Sequence, residues 1–268
     1  MPKITANNID LNYDQQGSGE PLILIPYLAA DHACYAFQLA DYSKHFTCIS
    51  LDLRGTGESQ KPDEAYSTQD LAADLSSFMQ ALGIERAHIF GLSLGAAVGM
   101  WFAAQYPQKT KSLSLHSAWP KSDLYLKAVV ETWQSAAKSL PSVADMVVEN
   151  IFPWCFTPEL YGEKPDFIQS LADFVCARPR QPLEAFLHQC AAVKAHDALS
   201  QLGKIIAPTQ ITFGKYDMVT STRFAEPLKQ AIASSQLTVF DHCAHAPIYE
   251  DVATFNEVTR SFLQGQCG

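Results

Sequence analysis

Gly91-Leu-Ser93-Leu-Gly95 constrains this chain more than any other segment, because it stands where a β-type run gives way to a helical one. Ala87–Phe90 reads as a buried strand, and Leu94–Tyr106, stopped by Pro107, reads as a helix. A side chain at so sharp a strand-to-helix turn sits on strained backbone, and only small residues fit two positions to either side. Gly91 and Gly95 meet that condition. Ala96, Ala97 and Gly99 let the helix approach the sheet closely, and its N-terminus aims peptide dipoles at the spot where negative charge would develop. Ser93 is therefore the candidate nucleophile. A chance Gly-x-Ser-x-Gly in a Gly/Ala-rich helix start would lack the strand before it.

The rest of the chain supplies a frame for that turn. Ile4–Ala6 and Leu11–Tyr13 read as an opening hairpin, and Leu22–Ile25 and Phe46–Leu51 as buried strands. Ser67-Thr-Gln-Asp70 is a capping box opening a helix with Leu71, Leu75, Phe78, Met79 and Leu82 on one face, and Gly83 is its left-handed stop. Ser112–His116 is a further strand. Between Trp119 and Leu202 helical patterns follow one another without a strand, at 123–140, 143–150, 165–177 and 183–193, and aromatic residues gather there. Strands return at Thr209–Phe213 and Leu237–Phe240, with helices over 223–233 and 252–263. Alternating strands and helices imply a parallel sheet with right-handed crossovers. The expected architecture is one α/β core (1–118 and 203–268) interrupted by a helical cap (119–202).

Composition narrows the partners. The chain has 47% hydrophobic and 18% charged residues, enough to bury a full core. A net charge of −9 with 19 Lys+Arg argues against a surface that tracks nucleic-acid phosphates. No apolar run is long enough to span a bilayer, and no signal peptide is visible. The seven cysteines are odd in number, widely spaced and free of any Cys-x-x-Cys, so we expect reduced thiols in a cytoplasmic protein. Oligomeric state stays open between monomer and homodimer.

Several segments, taken in order, resemble the α/β-hydrolase superfamily. Gly91–Gly95 looks like its nucleophile elbow. Asp52-Leu-Arg54-Gly-Thr-Gly57-Glu-Ser59 is similar to its D-x-R-G-x-G-x-S loop, Phe213-Gly-Lys-Tyr-Asp217 to its acid-bearing turn, and Cys243-Ala-His245-Ala-Pro247 to its histidine loop. The resemblance covers roughly residues 20–118 and 205–265, with vaguer similarity in the cap, and is nearest to small carboxylesterases and lactonases such as 3-oxoadipate enol-lactonases. It implies the α/β-hydrolase fold, with a mostly parallel central sheet flanked by helices and an inserted helical cap. It also implies ester or lactone hydrolysis without a cofactor.

Serine is a weak nucleophile until an imidazole takes its proton, and a carboxylate holds that imidazole in the right tautomer. The family order, Ser then acid then His, places both partners after Ser93. His245 follows the last strand and precedes Pro247, which makes it the candidate base, with His242 as rival. Asp217, on the turn after Thr209–Phe213, is the candidate acid. Asp241 and Asp197 are the alternatives, and the latter sits where capping explains it. An oxyanion needs two backbone N–H donors. Leu94 is one by position. The other belongs to the loop after Ile25, where Pro26-Tyr27 replaces the family's usual His-Gly, so Leu28 is expected and Tyr27 is the alternative.

Tyr27, Trp119 and Trp154 are the expected pocket residues, since both indoles flank loops rather than helix centres. The Asp52–Ser59 loop reads as structural and lacks dinucleotide-site spacing. His242, Cys243 and His245 lack a fourth ligand, so no metal is expected. The ester or lactone reading keeps three rivals: a carbon–carbon bond hydrolase, a cofactor-free haloperoxidase, and a receptor that binds a small molecule without turnover. Ser93 at the turn excludes the Asp nucleophile of haloalkane dehalogenases and epoxide hydrolases.

Overall fold

The computed structural model describes residues 1–268. Eight strands form one sheet: β1 (Lys3–Ala6), β2 (Ile9–Gln16), β3 (Glu20–Ile25), β4 (Phe46–Leu51), β5 (Ala87–Leu92), β6 (Thr110–His116), β7 (Thr209–Gly214) and β8 (Ser235–Phe240). Their spatial order is β1-β2-β4-β3-β5-β6-β7-β8. The first two pairings, β1 with β2 and β2 with β4, are antiparallel, and the other five are parallel. Strands β5 and β7 are buried at every residue, as apolar runs covered on both faces should be.

Helices cover both faces. On the core side they are α1 (Ala36–Tyr42), α2 (Thr68–Ala81) and α3 (Leu94–Gln105). The Ser67–Asp70 capping box is formed in full, and Gly83 ends the helix region at φ +70°. Helix α3 is apolar on all sides, so it can only sit in the centre of the molecule, and ten of its twelve residues are buried.

Between β6 and β7 the chain leaves the sheet for α4 (Leu124–Ser139), α5 (Val143–Met146), α6 (Phe152–Cys155), α7 (Pro158–Glu163), α8 (Pro165–Ala177) and α9 (Leu183–Ala195), with one π turn over Val147–Ile151. The two stems of this insertion meet at its neck. There Ser122 N donates to His196 O (2.9 Å) and Ala198 N to Pro120 O (2.8 Å). Helix α10 (Ala225–Ala231) joins β7 to β8, and α11 (Pro247–Glu250) and α12 (Val252–Gln264) close the chain.

The expected strands are all present, several of them longer than the periodicity suggests. Strand β5 runs two residues past Phe90 and carries Gly91 in its ladder, because Gly91 pairs with Ile25 and Leu115 across the parallel strands. The short helices α1, α6, α7 and α11 are not visible in the sequence pattern: each has seven residues or fewer, too short to show a full apolar stripe.

Candidate active site

Ser93 is the first residue off β5 and the N-cap of α3. Its backbone takes φ 54° and ψ −117°, a conformation that L-residues avoid unless their surroundings impose it. Those surroundings explain the flanking glycines. A Cβ on Gly91 would lie 2.3 Å from the Gly95 carbonyl carbon, and one on Gly95 would lie 2.1 Å from Ile25 O. Strand β3, the turn and α3 therefore meet with no room for any side chain.

Ser93 and His245 line one cavity. His245 Nδ1 hydrogen-bonds Asp217 Oδ2 at 3.0 Å. No hydrogen bond joins the Ser93 hydroxyl to the imidazole in this structure, and such contacts tighten when substrate arrives. Asp217 is almost wholly buried. Burial opposes its ionisation, but the imidazole beside it and hydrogen bonds from Thr220 and the Val219 amide outweigh that, holding the carboxyl down at about 2. His242, the rival base, is exposed, and the structure places it in no such pair.

The supporting groups come from distant parts of the chain. Ser117, at the end of β6 with φ 47°, donates its hydroxyl to His245 O at 2.8 Å. The Thr220 hydroxyl lies 2.7 Å from Asp217 Oδ2 and 3.1 Å from Ser117 O. Glu250 spans the insertion and the histidine loop, accepting from Thr157 N (2.8 Å) and from Ala244 N. Ala246 N donates to Cys155 O (3.2 Å). The histidine loop is thus bonded directly to α6 and, through Glu250, to Thr157 at the start of α7. Ser117, Thr220 and Glu250 were not singled out in the sequence. Thr220, three residues after Asp217, had a local signal in that spacing; Ser117 and Glu250 had none.

Leu94 opens α3 and its N–H has no intrahelical acceptor, as at any helix start. In the loop after β3 the Tyr27 and Leu28 amides likewise donate to no protein group, whereas Ala30 N closes a turn on Tyr27 O (3.2 Å). Ala29 holds φ +60° and donates its N–H to Gln189 Oε1 of α9 at 3.1 Å. Gln189 is fully buried and also accepts from Gln181 Nε2 (3.0 Å), which in turn reaches Gly55 O (3.0 Å). Tyr27 is tied back by its hydroxyl: Tyr249 donates to Cys34 O (2.6 Å), so Tyr27 donates to Tyr249 (2.7 Å). The loop that departs from the family pattern is therefore anchored to α9 and α11 by side chains.

The cavity over Ser93 is lined by 21 residues, 19 of them hydrophobic. Tyr27 and Trp119 are in its wall, and so is Leu28. Trp119 reaches it from the neck of the insertion, where its Nε1 donates to Ser122 Oγ (2.8 Å). Trp154 is a correction. It is half-buried against the core and lies outside the cavity wall, because the residues of α6 that face the cavity are Phe152 and Cys155. Trp133 of α4 lines the cavity instead, on the same helix face as Leu126 and Val130. That face was legible at i, i+4, i+7 spacing. A second, roomier cavity of about 350 Å³ against about 80 Å³ shares the Tyr27–Leu28 wall, and its charged residues are Asp31, Arg178 and Arg180.

The polar loop Asp52–Ser59 has a structural explanation. Asp52 Oδ1 accepts from His32 N and pairs with His32 Nδ1, both at 2.7 Å, and Asp52 Oδ2 accepts from Asn12 Nδ2 and Glu58 N, both at 2.8 Å. Arg54 forms a two-pronged pair with Asp74 at 2.6 Å. No helix is long and apolar enough to cross a membrane.

The chain matches known proteins along its whole length. Residues 17–161 match the model of the alpha/beta hydrolase fold family. A putative carbamate hydrolase RutD from Azorhizobium caulinodans is 24% identical over 269 residues, spanning 100% of this chain and 98% of that protein. The 3-oxoadipate enol-lactonase 1 of Acinetobacter baylyi is 26% identical over 252 residues, with 88% and 86% covered. A thermophilic esterase from Thermogutta terrifontis superposes with a TM-score of 0.88 at 22% identity, covering 100% of this chain and 99% of the other, and so shares the fold.

Proposed function

The chain belongs to the α/β-hydrolase fold family, and from that premise we propose that it hydrolyses a carboxylic ester or lactone of a small molecule, with Ser93 as nucleophile. The observation that carries the reading is the placement of Ser93, on a backbone at φ 54°, in one cavity with an imidazole already bonded to a buried carboxylate.

In this mechanism the Ser93 oxygen attacks the substrate carbonyl while His245 Nε2 takes its proton. Nδ1 remains bonded to Asp217, which stays ionised and stabilises the imidazolium. The oxyanion is received by the Leu94 N–H, supported by the α3 dipole, and by the Leu28 N–H, with the Tyr27 amide as the alternative second donor. Collapse expels the alcohol, which takes the proton from His245 and leaves an acyl-enzyme. A water molecule, deprotonated by His245, then releases the acid and frees Ser93. In a lactone the expelled alcohol stays attached to the acyl chain, so ring opening gives a hydroxy acid.

A panel of short esters, lactones and vinylogous diketones tests the reading, followed by proton release. Turnover of esters or lactones that disappears in Ser93→Ala supports it. Turnover confined to the diketones, or tight binding without turnover of any member, contradicts it.

A further inference from the structure

The loop that carries His245 is fastened from two sides. The core holds it through Ser117 Oγ, which donates to His245 O at 2.8 Å, and through Tyr216 N, which donates to Cys243 O at 2.9 Å. The amides on either side of the histidine end elsewhere. Ala246 N donates to Cys155 O of the insertion at 3.2 Å, and Ala244 N donates to Glu250 Oε2. The other oxygen of that carboxylate, Oε1, accepts from Thr157 N of the insertion at 2.8 Å. Glu250 therefore grips the insertion with one oxygen and the histidine loop with the other. A half-buried carboxylate needs a reason to be there, and Glu250 takes part in none of the chain's ion pairs. Burial pushes its carboxyl up, and the Thr157 and Ala244 amides and the nearby His245 ring oppose that rise. The residue type fits the task. A carboxylate accepts at both oxygens, whereas the amide of a glutamine would offer one acceptor and turn its NH2 towards the second backbone N–H.

We infer that Glu250 is a positioning residue through which the Thr157 amide of the insertion holds the histidine loop, so that the general base is in place only while the insertion is seated on the core. This inference rests on the proposed hydrolysis with His245 as base. Glu250 acts through the backbone of Ala244. The step it serves is the transfer of the Ser93 proton to His245 Nε2, which is steeply sensitive to where the ring sits.

Two variants separate positioning from mere fastening. Thr157→Pro deletes the N–H on the insertion side, and the backbone accepts it: Thr157 lies at φ −71° and ψ 151°, after an extended Phe156 at φ −121° and ψ 149°. It also removes the hydroxyl that caps Leu160 N, so Thr157→Ala, which loses only the hydroxyl, is its reference. Glu250→Gln keeps the side-chain shape and gives up one of the two bonds. The rate constant for labelling of Ser93 by a small fluorophosphonate is measured at a temperature where melting curves show every variant folded. It should fall about 10-fold or more from wild type to Glu250→Gln, and likewise from Thr157→Ala to Thr157→Pro, the range for a lost hydrogen bond to a charged group. Rates within twofold in either comparison would overturn the inference, whatever the change in melting temperature, since a fastening role lowers stability alone. The Nδ1–H proton signal of His245, identified by its loss in His245→Ala, reports the same placement without any turnover. It should shift or broaden in Glu250→Gln and in Thr157→Pro relative to Thr157→Ala, and an unchanged signal would overturn the inference. Should the wild type take up no phosphonate, the hydrolytic reading fails and this signal alone decides the positioning role.

Discussion

Replacing Gly95 by Ala adds one methyl group where three backbone segments meet. That Cβ would lie 2.1 Å from Ile25 O, 2.9 Å from Ile25 C and 3.0 Å from Pro26 O, against ordinary contacts that start at 3.4 Å. All three neighbours are backbone, so no rotamer change relieves the clash. The end of β3 must retreat by roughly 1 Å, at a cost of about 1–3 kcal/mol in stability. The retreat carries with it the next residues, Tyr27 and Leu28, whose amides are the proposed second oxyanion donor. A donor displaced that far no longer reaches the 2.7–3.1 Å range an oxyanion needs, and loss of one donor costs about 10²–10³-fold in kcat. We therefore expect Gly95→Ala to fold, to melt several degrees lower, and to lose about two to three orders of magnitude in kcat on a p-nitrophenyl ester. Gly203→Ala is the control, because its Cβ meets nothing within 4 Å and its φ is not in the left-handed region. Differential scanning calorimetry beside steady-state kinetics reads both effects. A Gly95→Ala enzyme with kcat within threefold of wild type would refute the reasoning, since the oxyanion loop would then not depend on this contact.

Other perturbations separate the remaining parts. Asp217 has its carboxyl held at about 2 against an ordinary 3.8, so its ionised form contributes about 2 kcal/mol of stability above pH 4 that is lost as pH falls from about 4 towards 2. Asp217→Asn should flatten the fall of Tm over that window, and an unchanged slope would rule out this source. Gln189→Leu removes the acceptor that holds Ala29 N–H, so kcat should drop about 10-fold or more with KM little altered. A rise in KM alone would point to a cap-packing role instead. His245→Ala should be nearly as damaging as Ser93→Ala and the double variant scarcely worse, while His242→Ala keeps most activity; the reverse ranking would name His242 as base. Trp154→Ala, outside the cavity, should leave the ranking of ester chain lengths as it is, whereas Trp119→Ala should change it.

What could be read in advance follows the range of the forces involved. The Gly91–Gly95 turn, the capping box at Ser67 and the buried strands are local, and each was legible because the residues that decide it lie within a few positions of one another. Asp217 and His245 were legible because each ends a strand-to-loop transition at the same edge of a parallel sheet. The structure brings them to 3.0 Å across 28 residues of chain. The groups that hold the site could not be read the same way. Ala29 meets Gln189 across 160 residues, and Ser117 meets His245 across 128. Neither Gln nor Ser in a helix or at a strand end announces such a partner. Trp154 misled for a related reason. Its position beside a loop suggested a pocket, but in the short helix that follows the π turn over Val147–Ile151 the cavity is lined by Phe152 and Cys155, three residues apart and so on one face.

The most direct test of the account is covalent. Wild-type protein treated with a fluorophosphonate, digested and read by mass spectrometry should carry a single adduct on Ser93, formed at a rate that collapses in His245→Ala, and Ser93→Ala should carry none. An adduct on any other serine, or a folded wild type that takes up no phosphonate, would contradict the assignment of Ser93 as the nucleophile.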